Sequence, residues 1–327
     1  MAGKVRVGVI GVGGMAQGHV KNLLSMRDAE IGGLMDTDQA RLDGTVRNYP
    51  QLAGVPQFKS HKELIKKADL DATLICSPHF IHYQQIVDSL RAGLHVLTEK
   101  PMVCTIKHAK SVMKEEKKAR KIVAISYQRH CMGQYQFIRN CISGGQTGAV
   151  KFIAALQGQA WLQGCKGTWR HSKKFSCGGQ LNDSGSHLID IILWMTGQTV
   201  TEVSAQIDNC GTEVDINSAV SFKCKGGALG TLSVMGSCPT WWEDITIVCD
   251  EWAFFLRGDQ LSVITGIKGE MHRVDSFRYG APSPTHNFID AVQGRGKVFA
   301  PSICGLRTIE LTEAAWRSGY SGKPVKL

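Results

Sequence analysis

The first part of the chain alternates short apolar runs with stretches of helical periodicity. Continuous apolar runs are typical of parallel strands covered on both faces, and the stretches between them supply crossover helices. The predicted strands are Val5 to Ile10, Glu30 to Met35, Ala72 to Cys76, His95 to Thr98 and Ile122 to Ser126. Residues 1–126 are therefore predicted to form an α/β domain with a doubly wound parallel sheet.

After about residue 127 the pattern changes to long stretches of alternating apolar and polar residues. Such alternation is typical of antiparallel strands with one buried face, and glycine-rich turn signals separate the stretches. The stretches are Lys151 to Leu162, Val200 to Cys210, Ser218 to Val234, Ile245 to Leu256 and Gln260 to Ile264. Helices are predicted near Ser186 to Thr196 and from Thr285 and Arg307 onward. We expect residues 127–327 to form an α+β domain with a large, open, mainly antiparallel sheet, whose C-terminal helices can pack back on the first domain.

Composition favours a folded protein that does not enter a membrane. Hydrophobic residues make up 43% and charged residues 20% of the chain, which is sufficient for packed cores. No apolar run approaches the ~18 to 20 residues of a bilayer span, and the first residues lack the pattern of a signal peptide. The 11 cysteines contain no C-x-x-C pair, which argues against a zinc ribbon or a secreted disulfide scaffold. We therefore expect reduced thiols, a cytoplasmic location and no metal site.

The formal net charge is +10, and much of the excess lies on one predicted helix from Lys107 to Lys121. Its basic residues interrupt apolar ones at helical spacing, which indicates a solvated helix face. A nucleic-acid partner would require aromatic residues or a recognition motif among these charges, and the segment contains neither. We expect no nucleic-acid binding, although the charge can attract an anionic small molecule.

A glycine-rich loop follows the first predicted strand and opens a helical pattern. Gly11, Gly13 and Ala16 form a G-x-G-x-x-A motif in that context. The first glycine permits a tight turn, the second lets backbone N–H groups approach a pyrophosphate, and the alanine keeps the helix close to the strand. Asp36 ends the second strand, where a carboxylate accepts hydrogen bonds from a ribose 2′-hydroxyl and repels a 2′-phosphate. With Asp38 adding to that repulsion, the sequence predicts NAD rather than NADP.

Two later segments contain further candidate chemistry. Lys100 directly follows a buried strand, at the sheet edge where α/β proteins bind their ligands. Asp183 and His187 lie four residues apart at a predicted helix entrance, so they can project to one side, and Asp190 follows one turn later. The alternative is structural: Asp183 or Ser184 can be a helix cap and His187 a core histidine.

These motifs resemble the glucose–fructose oxidoreductase / inositol dehydrogenase / MocA-like family over nearly the whole chain. The resemblance rests on the glycine-rich start, on Pro78 with His82, on Glu99-Lys100-Pro101, on the segment from Gly178 to Asp190 and on the ending from Trp316 to Val325. It implies a Rossmann domain and an NAD(P)-dependent dehydrogenase that acts on a CH–OH group of a sugar, polyol or related alcohol. It also implies a homodimer or homotetramer assembled through the second-domain sheet. Two positions, His79 and Arg129-His130, depart from the family pattern and leave the substrate open.

Motifs and resemblance together assign the site residues. The cofactor-binding residues are Gly11, Gly13, Gly14, Met15, Asp36, Ser77, Pro78, His82, Glu99, Lys100, Trp169 and Arg170. The substrate-binding residues are Lys100, Tyr127, Arg129, Trp169, Arg170, Asp183 and His187. Trp169 can stack on a sugar face, and Arg170 can bind hydroxyls or an anionic group. Trp241 and Trp242, in contrast, are predicted to bury area in the core or in a subunit interface.

The expected catalytic residues are Lys100, Asp183 and His187. Alcohol oxidation removes a proton from oxygen, which His187 can accept because it titrates near neutrality. The Lys100 ammonium can stabilise the developing alkoxide by about 3 kcal/mol, and Asp183 can bind a substrate hydroxyl or orient His187. The roles of His187 and Lys100 are interchangeable at this stage. Two other functions stay open, a glycoside-cleaving enzyme that oxidises its substrate transiently with bound NAD and a catalytically silent NAD sensor.

Overall fold

The computed structural model describes residues 3–266, 268–276 and 280–327. Within these ranges the chain forms two compact units. Unit 1 comprises Met1–Val103, Lys107–Tyr127 and Pro282–Ile303, and unit 2 comprises Cys104–Ile106, Gln128–Ala281 and Cys304–Leu327. Among the described residues, no helix combines the length and the apolar character that crossing a membrane requires.

The described residues form fifteen strands and eleven α-helices. The strands are β1 (Val5–Ile10), β2 (Ala29–Met35), β3 (Gln57–Phe58), β4 (Ala72–Ile75), β5 (His95–Thr98), β6 (Val123–Ile125), β7 (Val150–Gly158), β8 (Val200–Asp208), β9 (Asn217–Cys224), β10 (Leu229–Met235), β11 (Trp242–Cys249), β12 (Trp252–Arg257), β13 (Gln260–Thr265), β14 (Met271–Arg273) and β15 (Val325–Lys326). The helices are α1 (Gly14–Ser25), α2 (Gln39–Asn48), α3 (His61–Lys67), α4 (His79–Arg91), α5 (Ile106–Ala119), α6 (Gly133–Ser143), α7 (Trp161–Gly164), α8 (Lys173–Ser176), α9 (Gly185–Thr196), α10 (Pro284–Val292) and α11 (Ser302–Ser321).

Unit 1 contains a six-stranded parallel sheet in the order β3-β2-β1-β4-β5-β6. This is the strand order of the dinucleotide-binding Rossmann fold, in which ligands bind at the carboxyl ends of the strands. The five predicted strands are present, and β3, a two-residue edge strand, was not predicted. From the segment Pro282–Ile303, helix α10 contributes Phe288 and Ile289 to the apolar core of this unit.

Unit 2 contains a nine-stranded sheet in the order β14-β13-β12-β11-β7-β10-β9-β8-β15. The β7–β10 pair is parallel and the other pairs are antiparallel, as a mainly antiparallel sheet was expected to be. Two of the predicted alternating stretches each form a hairpin rather than one strand, since β9 and β10, and likewise β11 and β12, are separated by turns. Gly227 in the first of these turns has φ +87°, a left-handed conformation that suits glycine.

Helix α9 packs its apolar side chains against this sheet. Its buried residues Leu188, Ile189 and Ile192 join Val234 and Ile245 in one core cluster. The helix ends at Gly197, which has φ +65°, so the glycine stop predicted there is confirmed.

The structure contradicts one alternative for Trp241 and Trp242 and part of the expectation about the thiols of unit 2. Trp241 and Trp242 are 51% and 53% exposed, so they do not belong to the core; the interface alternative stays a prediction. The expected set of reduced thiols is contradicted at one pair, because a disulfide joins Cys104 to Cys177. Their Cα atoms lie 5.7 Å apart, within the range found in disulfides. The two cysteines are 73 residues apart in sequence, so no local spacing motif indicated that they pair.

Candidate active site

The glycine-rich loop of unit 1 has the close backbone packing that the motif predicts. Gly11 has φ +84°, and a Cβ atom built on it would lie 3.0 Å from backbone atoms of Cys76 and Ser77. A side chain at this position would therefore strain the backbone and collide with the start of the loop after β4. Helix α1 begins directly behind this turn, and Gly13 at its N-cap gives it no side-chain cap among the described residues.

Asp36 is buried at the edge of the same loop and fixes its shape. Its Oδ2 accepts a hydrogen bond from the backbone N–H of Val12 at 3.0 Å, and its Oδ1 accepts one from Asp38 N–H at 3.0 Å. A carboxylate has about four lone-pair positions, so these two bonds leave acceptor capacity for ribose hydroxyls. The loop, the N-terminus of α1 and this carboxylate together fit a dinucleotide.

Arg41 is a residue of this loop region that the sequence prediction missed. Its Nη1 lies 3.7 Å from a Cβ built on Gly13, and its Nε lies 3.6 Å from Oδ2 of Asp38. The prediction considered only the residues directly after Asp36. A guanidinium on α2 beside the phosphate loop can bind a cofactor phosphate, which weakens the sequence argument against NADP.

Lys100 directly follows Glu99, a buried acid of unit 1 that has several hydrogen-bond partners. The Glu99 side chain accepts a hydrogen bond from the Lys100 N–H at 3.1 Å, and its Oε1 lies 3.0 Å from Nε2 of His19. On the other side of the ring, Nδ1 of His19 lies 2.7 Å from the Thr285 hydroxyl. Burial raises the pKa of Glu99, but the hydrogen bond and charge of His19 and the charge of Lys100 outweigh it, so the net pKa is below the usual value. The sequence prediction missed His19 because it lies on a helix face far from Glu99 in sequence.

His82 connects the two loops of unit 1 that follow β4 and β5. It is fully buried, with Nδ1 2.8 Å from the Pro101 carbonyl oxygen and Nε2 2.8 Å from that of Ser77. Burial lowers the pKa of His82, although the two carbonyls offset part of this effect. Ser77, in turn, donates its hydroxyl to Gln85 at 2.6 Å, and Pro78 is the N-cap of α4. His82 therefore positions the loops that the sequence prediction assigned to the cofactor.

Asp183 is the centre of a buried polar arrangement in unit 2. Its Oδ2 accepts hydrogen bonds from Nε of Arg170 at 2.8 Å and from the indole Nε1 of Trp161 at 2.9 Å. The Arg170 guanidinium also lies over the ring of Trp169, 4.5 Å from its centroid. The structure thus brings together Asp183, Trp169 and Arg170, as predicted, and adds Trp161, which the sequence prediction had placed inside a strand.

His187 lies in the first turn of α9, half-buried, and donates its backbone N–H to Ser184. Asp183 lies directly before the N-cap of this helix, and the projection of Asp183 and His187 to one side stays a prediction. Ser184 occupies the N-cap position without a side-chain cap bond in the described chain, and Asp183 bonds to Arg170 and Trp161. The cap alternative therefore has no support.

The two remaining substrate candidates are buried. Tyr127, in unit 1, is 1% exposed. Arg129, in unit 2, is 6% exposed, and its Nη2 lies 2.6 Å from Oε2 of Glu243 on β11. Glu243 was not predicted, because it lies far along the chain and just before the predicted alternating stretch from Ile245 to Leu256, whereas β11 begins at Trp242.

Asp190 forms a separate buried pair with His130 at 2.6 Å in unit 2. Potential ligand atoms of His130, Asp190 and Cys304 lie within 4.8 Å of one another. Burial raises the pKa of the Cys304 thiol well above its usual value, which Arg139 and Arg307 only partly offset. The structure therefore shows a hydrogen-bonded core pair, His130 and Asp190, beside a buried thiol.

Comparison with known proteins identifies the family. A family model described as "Oxidoreductase family, NAD-binding Rossmann fold" matches residues 5–127, and the Gfo/Idh/MocA C-terminal domain model matches residues 135–254. The chain belongs to the Gfo/Idh/MocA family of oxidoreductases. Its members share the two-part architecture described above, so the predicted fold class is confirmed.

Curated relatives and solved structures are similar at moderate identity. A glucose-6-phosphate 3-dehydrogenase of Bacillus subtilis is 29% identical over 195 residues, which cover 58% of this chain and 53% of that protein. A myo-inositol 2-dehydrogenase of Thermotoga maritima is 26% identical over 238 residues, 70% of this chain and 67% of that protein. The chain spans about half the length of the first curated relatives it matches. The WlbA dehydrogenase structure from Bordetella pertussis, in complex with NADH and UDP-GlcNAcA, has a TM-score of 0.88 at 20% identity and covers 100% of this chain and 99% of that one.

Proposed function

We propose that this protein is an NAD-dependent oxidoreductase that transfers hydride between nicotinamide and a secondary alcohol of a sugar, polyol or sugar derivative. The observation that carries the proposal is the cofactor loop of unit 1. A left-handed Gly11, an uncapped α1 N-terminus and a carboxylate bound to the loop backbone suit a dinucleotide and have no evident purpose in a purely structural turn.

Sugar and polyol substrates are proposed from the relatives and from unit 2. The curated relatives above are named as dehydrogenases of a sugar phosphate and of inositol. In unit 2, Trp169 and Arg170 supply an aromatic face and a hydrogen-bond donor, and Asp183 supplies acceptors. These groups suit a ligand with many hydroxyls.

The protein groups divide the work of alcohol oxidation. NAD, when bound, supplies the hydride acceptor. We assign proton removal from the substrate hydroxyl to His187 and stabilisation of the developing alkoxide to the Lys100 ammonium. Glu99 and His19 fix the backbone at Lys100, while Arg170 and Trp161 fix Asp183. Asp36 favours NAD over NADP. Arg41 can bind a cofactor phosphate and therefore reduces this preference.

The test combines cofactor binding with turnover. Purified protein is titrated with NAD and NADP by calorimetry and then assayed with a panel of sugars and cyclic polyols for net formation of reduced nicotinamide. Tighter binding of NAD, followed by turnover of at least one alcohol, supports the proposal. If neither dinucleotide binds, the assignment of the Gly11 loop is wrong. If NAD binds tightly but no alcohol reduces added NAD, the proposal fails in favour of a bound-cofactor hydrolase or an NAD sensor.

A further inference from the structure

The sheet register relates the buried Arg129–Glu243 pair to helix α9 in unit 2. Residue Gln157 on β7 pairs with Glu243 on β11 and, on its other side, with Val234 on β10. A Cβ built on Gly185, the first residue of α9, would lie 3.2 Å from the Val234 side chain. Neighbouring residues in register point to the same face of a sheet. The pair therefore lies on the sheet face that packs against α9, the helix that contains His187. Val234, beside the start of α9, is on β10, and Glu243 is on β11, two strands away.

Three side chains surround the Glu243 carboxylate and are all at least nine-tenths buried. Arg129 Nη2 lies 2.6 Å from Oε2, Gln157 Nε2 lies 3.5 Å from the same oxygen, and the Tyr135 hydroxyl donates to Oε1 at 3.1 Å. We call these four residues the Glu243 cluster. Burial raises the pKa of Tyr135, so its hydroxyl remains a donor at neutral pH. The Glu243 carboxylate and the Arg129 guanidinium form a buried ion pair, the arrangement that balances an arginine charge inside a protein.

Two polar atoms of the Glu243 cluster have no partner among the described residues. These are Nη1 of Arg129, a donor, and Oε1 of Gln157, an acceptor. Buried polar groups are nearly always paired, because an unmet one has a desolvation cost. A hydroxyl group both donates and accepts, so it can pair with either of these atoms, whereas a carboxylate can pair only with the donor.

Both arginines that the sequence analysis assigned to substrate binding are paired with carboxylates. Arg129 is paired with Glu243, and Arg170 is paired with Asp183 at 2.8 Å. A substrate anion placed next to Glu243 would meet a buried negative charge and a cation whose charge is already balanced. Like-charge contacts of this kind discriminate strongly against the wrong ligand.

We propose that Glu243 is a specificity-determining residue that restricts the site to neutral, hydroxyl-bearing sugars or polyols by neutralising Arg129. This inference rests on the proposed function. It assigns neutral sugars and polyols to that site. It excludes sugar acids and sugar phosphates that would have to place their anionic group in the Glu243 cluster.

The test compares neutral ligands with anionic derivatives of the same ring. Glucose with glucuronate, galactose with galacturonate, and myo-inositol with its monophosphate are titrated into NAD-saturated protein by calorimetry. The wild-type protein is expected to bind the neutral member of a pair ~10-fold or more tightly than the anionic one. Glu243→Gln keeps the shape and a hydrogen-bond acceptor but frees the Arg129 charge, and it is expected to improve relative binding of the anion ~10-fold or more.

Two variants separate charge from structure. Asp244→Asn, at the next position of β11, removes an acid paired with Arg257 on the opposite sheet face and should keep the wild-type ratio. The double variant Arg129→Gln with Glu243→Gln removes both charges and should not gain affinity for the anions. It also remains informative if the buried unpaired arginine of the single variant destabilises the fold.

The outcomes distinguish this inference from the proposed function. Tighter wild-type binding of the anion, an equal change for both ligands in Glu243→Gln, or no binding of any pair would overturn the inference. The expected binding ratio without any net reduction of NAD would overturn the proposed oxidoreductase activity and leave the substrate-class inference intact.

Discussion

Nε2 of His19 lies 3.0 Å from Oε1 of Glu99, and the carboxylate of Glu99 accepts the backbone N–H of Lys100. A helix residue near the start of the chain thereby positions the lysine that follows β5. The ring is also fixed from behind by Thr285, so the orientation of the imidazole is determined on both sides.

Acidification is expected to destabilise the protein partly through Glu99. Its folded-state pKa is below the usual value of 4.5, so its stabilising contribution is complete above pH 4.5 and is lost as the pH falls through the folded-state pKa. In Glu99→Gln that contribution is absent. Urea unfolding at pH 7 and near pH 4 should therefore give a smaller drop in the free energy of unfolding for Glu99→Gln than for wild type. Glu115→Gln is the control, because its surface pair with Arg91 is solvent-screened, and equal drops in wild type and Glu99→Gln would contradict the prediction.

Replacement of either proposed proton-handling group should reduce turnover without unfolding the protein. Lys100→Ala and His187→Ala are each expected to lower kcat by ~10² or more, since each removes a group that acts on the developing charge. Steady-state assays with thermal melts of the same samples check this. Near-normal turnover in either folded variant would remove that residue from the mechanism.

Cofactor preference should depend on both Asp36 and Arg41. Asp36→Ala is expected to weaken NAD binding and narrow the gap to NADP, because the ribose acceptor and the repulsion of a 2′-phosphate are both lost. Arg41→Ala should instead weaken NADP more than NAD if its guanidinium binds the extra phosphate. The measurement is the ratio of the two dissociation constants. An unchanged ratio in Asp36→Ala would mean that this carboxylate only shapes the loop through Val12 and Asp38.

The surroundings of Gly11 and Gly18 predict opposite effects of alanine substitution on the stability of the protein. Gly11→Ala should cost about 1 to 3 kcal/mol, because φ +84° and the 3.0 Å approach of the Cys76–Ser77 backbone are unfavourable for a side chain. Gly18→Ala is the matched control within α1. No described atom lies within 4 Å of its Cβ position, and alanine in a helix interior should stabilise by about 0.5 to 1 kcal/mol. Chemical denaturation of both variants checks the prediction, and equal effects would contradict it.

Sequence periodicity predicted the strands of unit 1 that precede the glycine-rich loop and Lys100. The apolar runs gave β1 and β5 at their observed bounds, because strands buried on both faces have a pattern that tolerates few other interpretations. Helix α6 was missed, since its buried face mixes Gln134 and Tyr135 with apolar residues and blurs the helical period. Hairpin turns inside alternating stretches were missed for a similar reason, as alternation continues across a short turn.

The polar pairings of the site were harder to predict. Motifs led to the prediction of Asp183, His187 and Lys100 because each motif is local in sequence. The partners Trp161, His19 and Glu243 are supplied by folding, which joins residues far apart in sequence. Glu243 has the same alternating position as a core residue, so only the structure distinguishes a buried carboxylate from an outward-facing one.

The most direct test of the account is the transfer of hydride from carbon to nicotinamide. Wild-type protein is incubated in ordinary water with NAD and a panel of uniformly carbon-deuterated sugars and polyols, and the cofactor is analysed by mass spectrometry. The account predicts reduced cofactor with a single deuterium, and loss of this product in Lys100→Ala and His187→Ala. Tightly bound NAD that never yields deuterated reduced cofactor with any alcohol in the panel would contradict it.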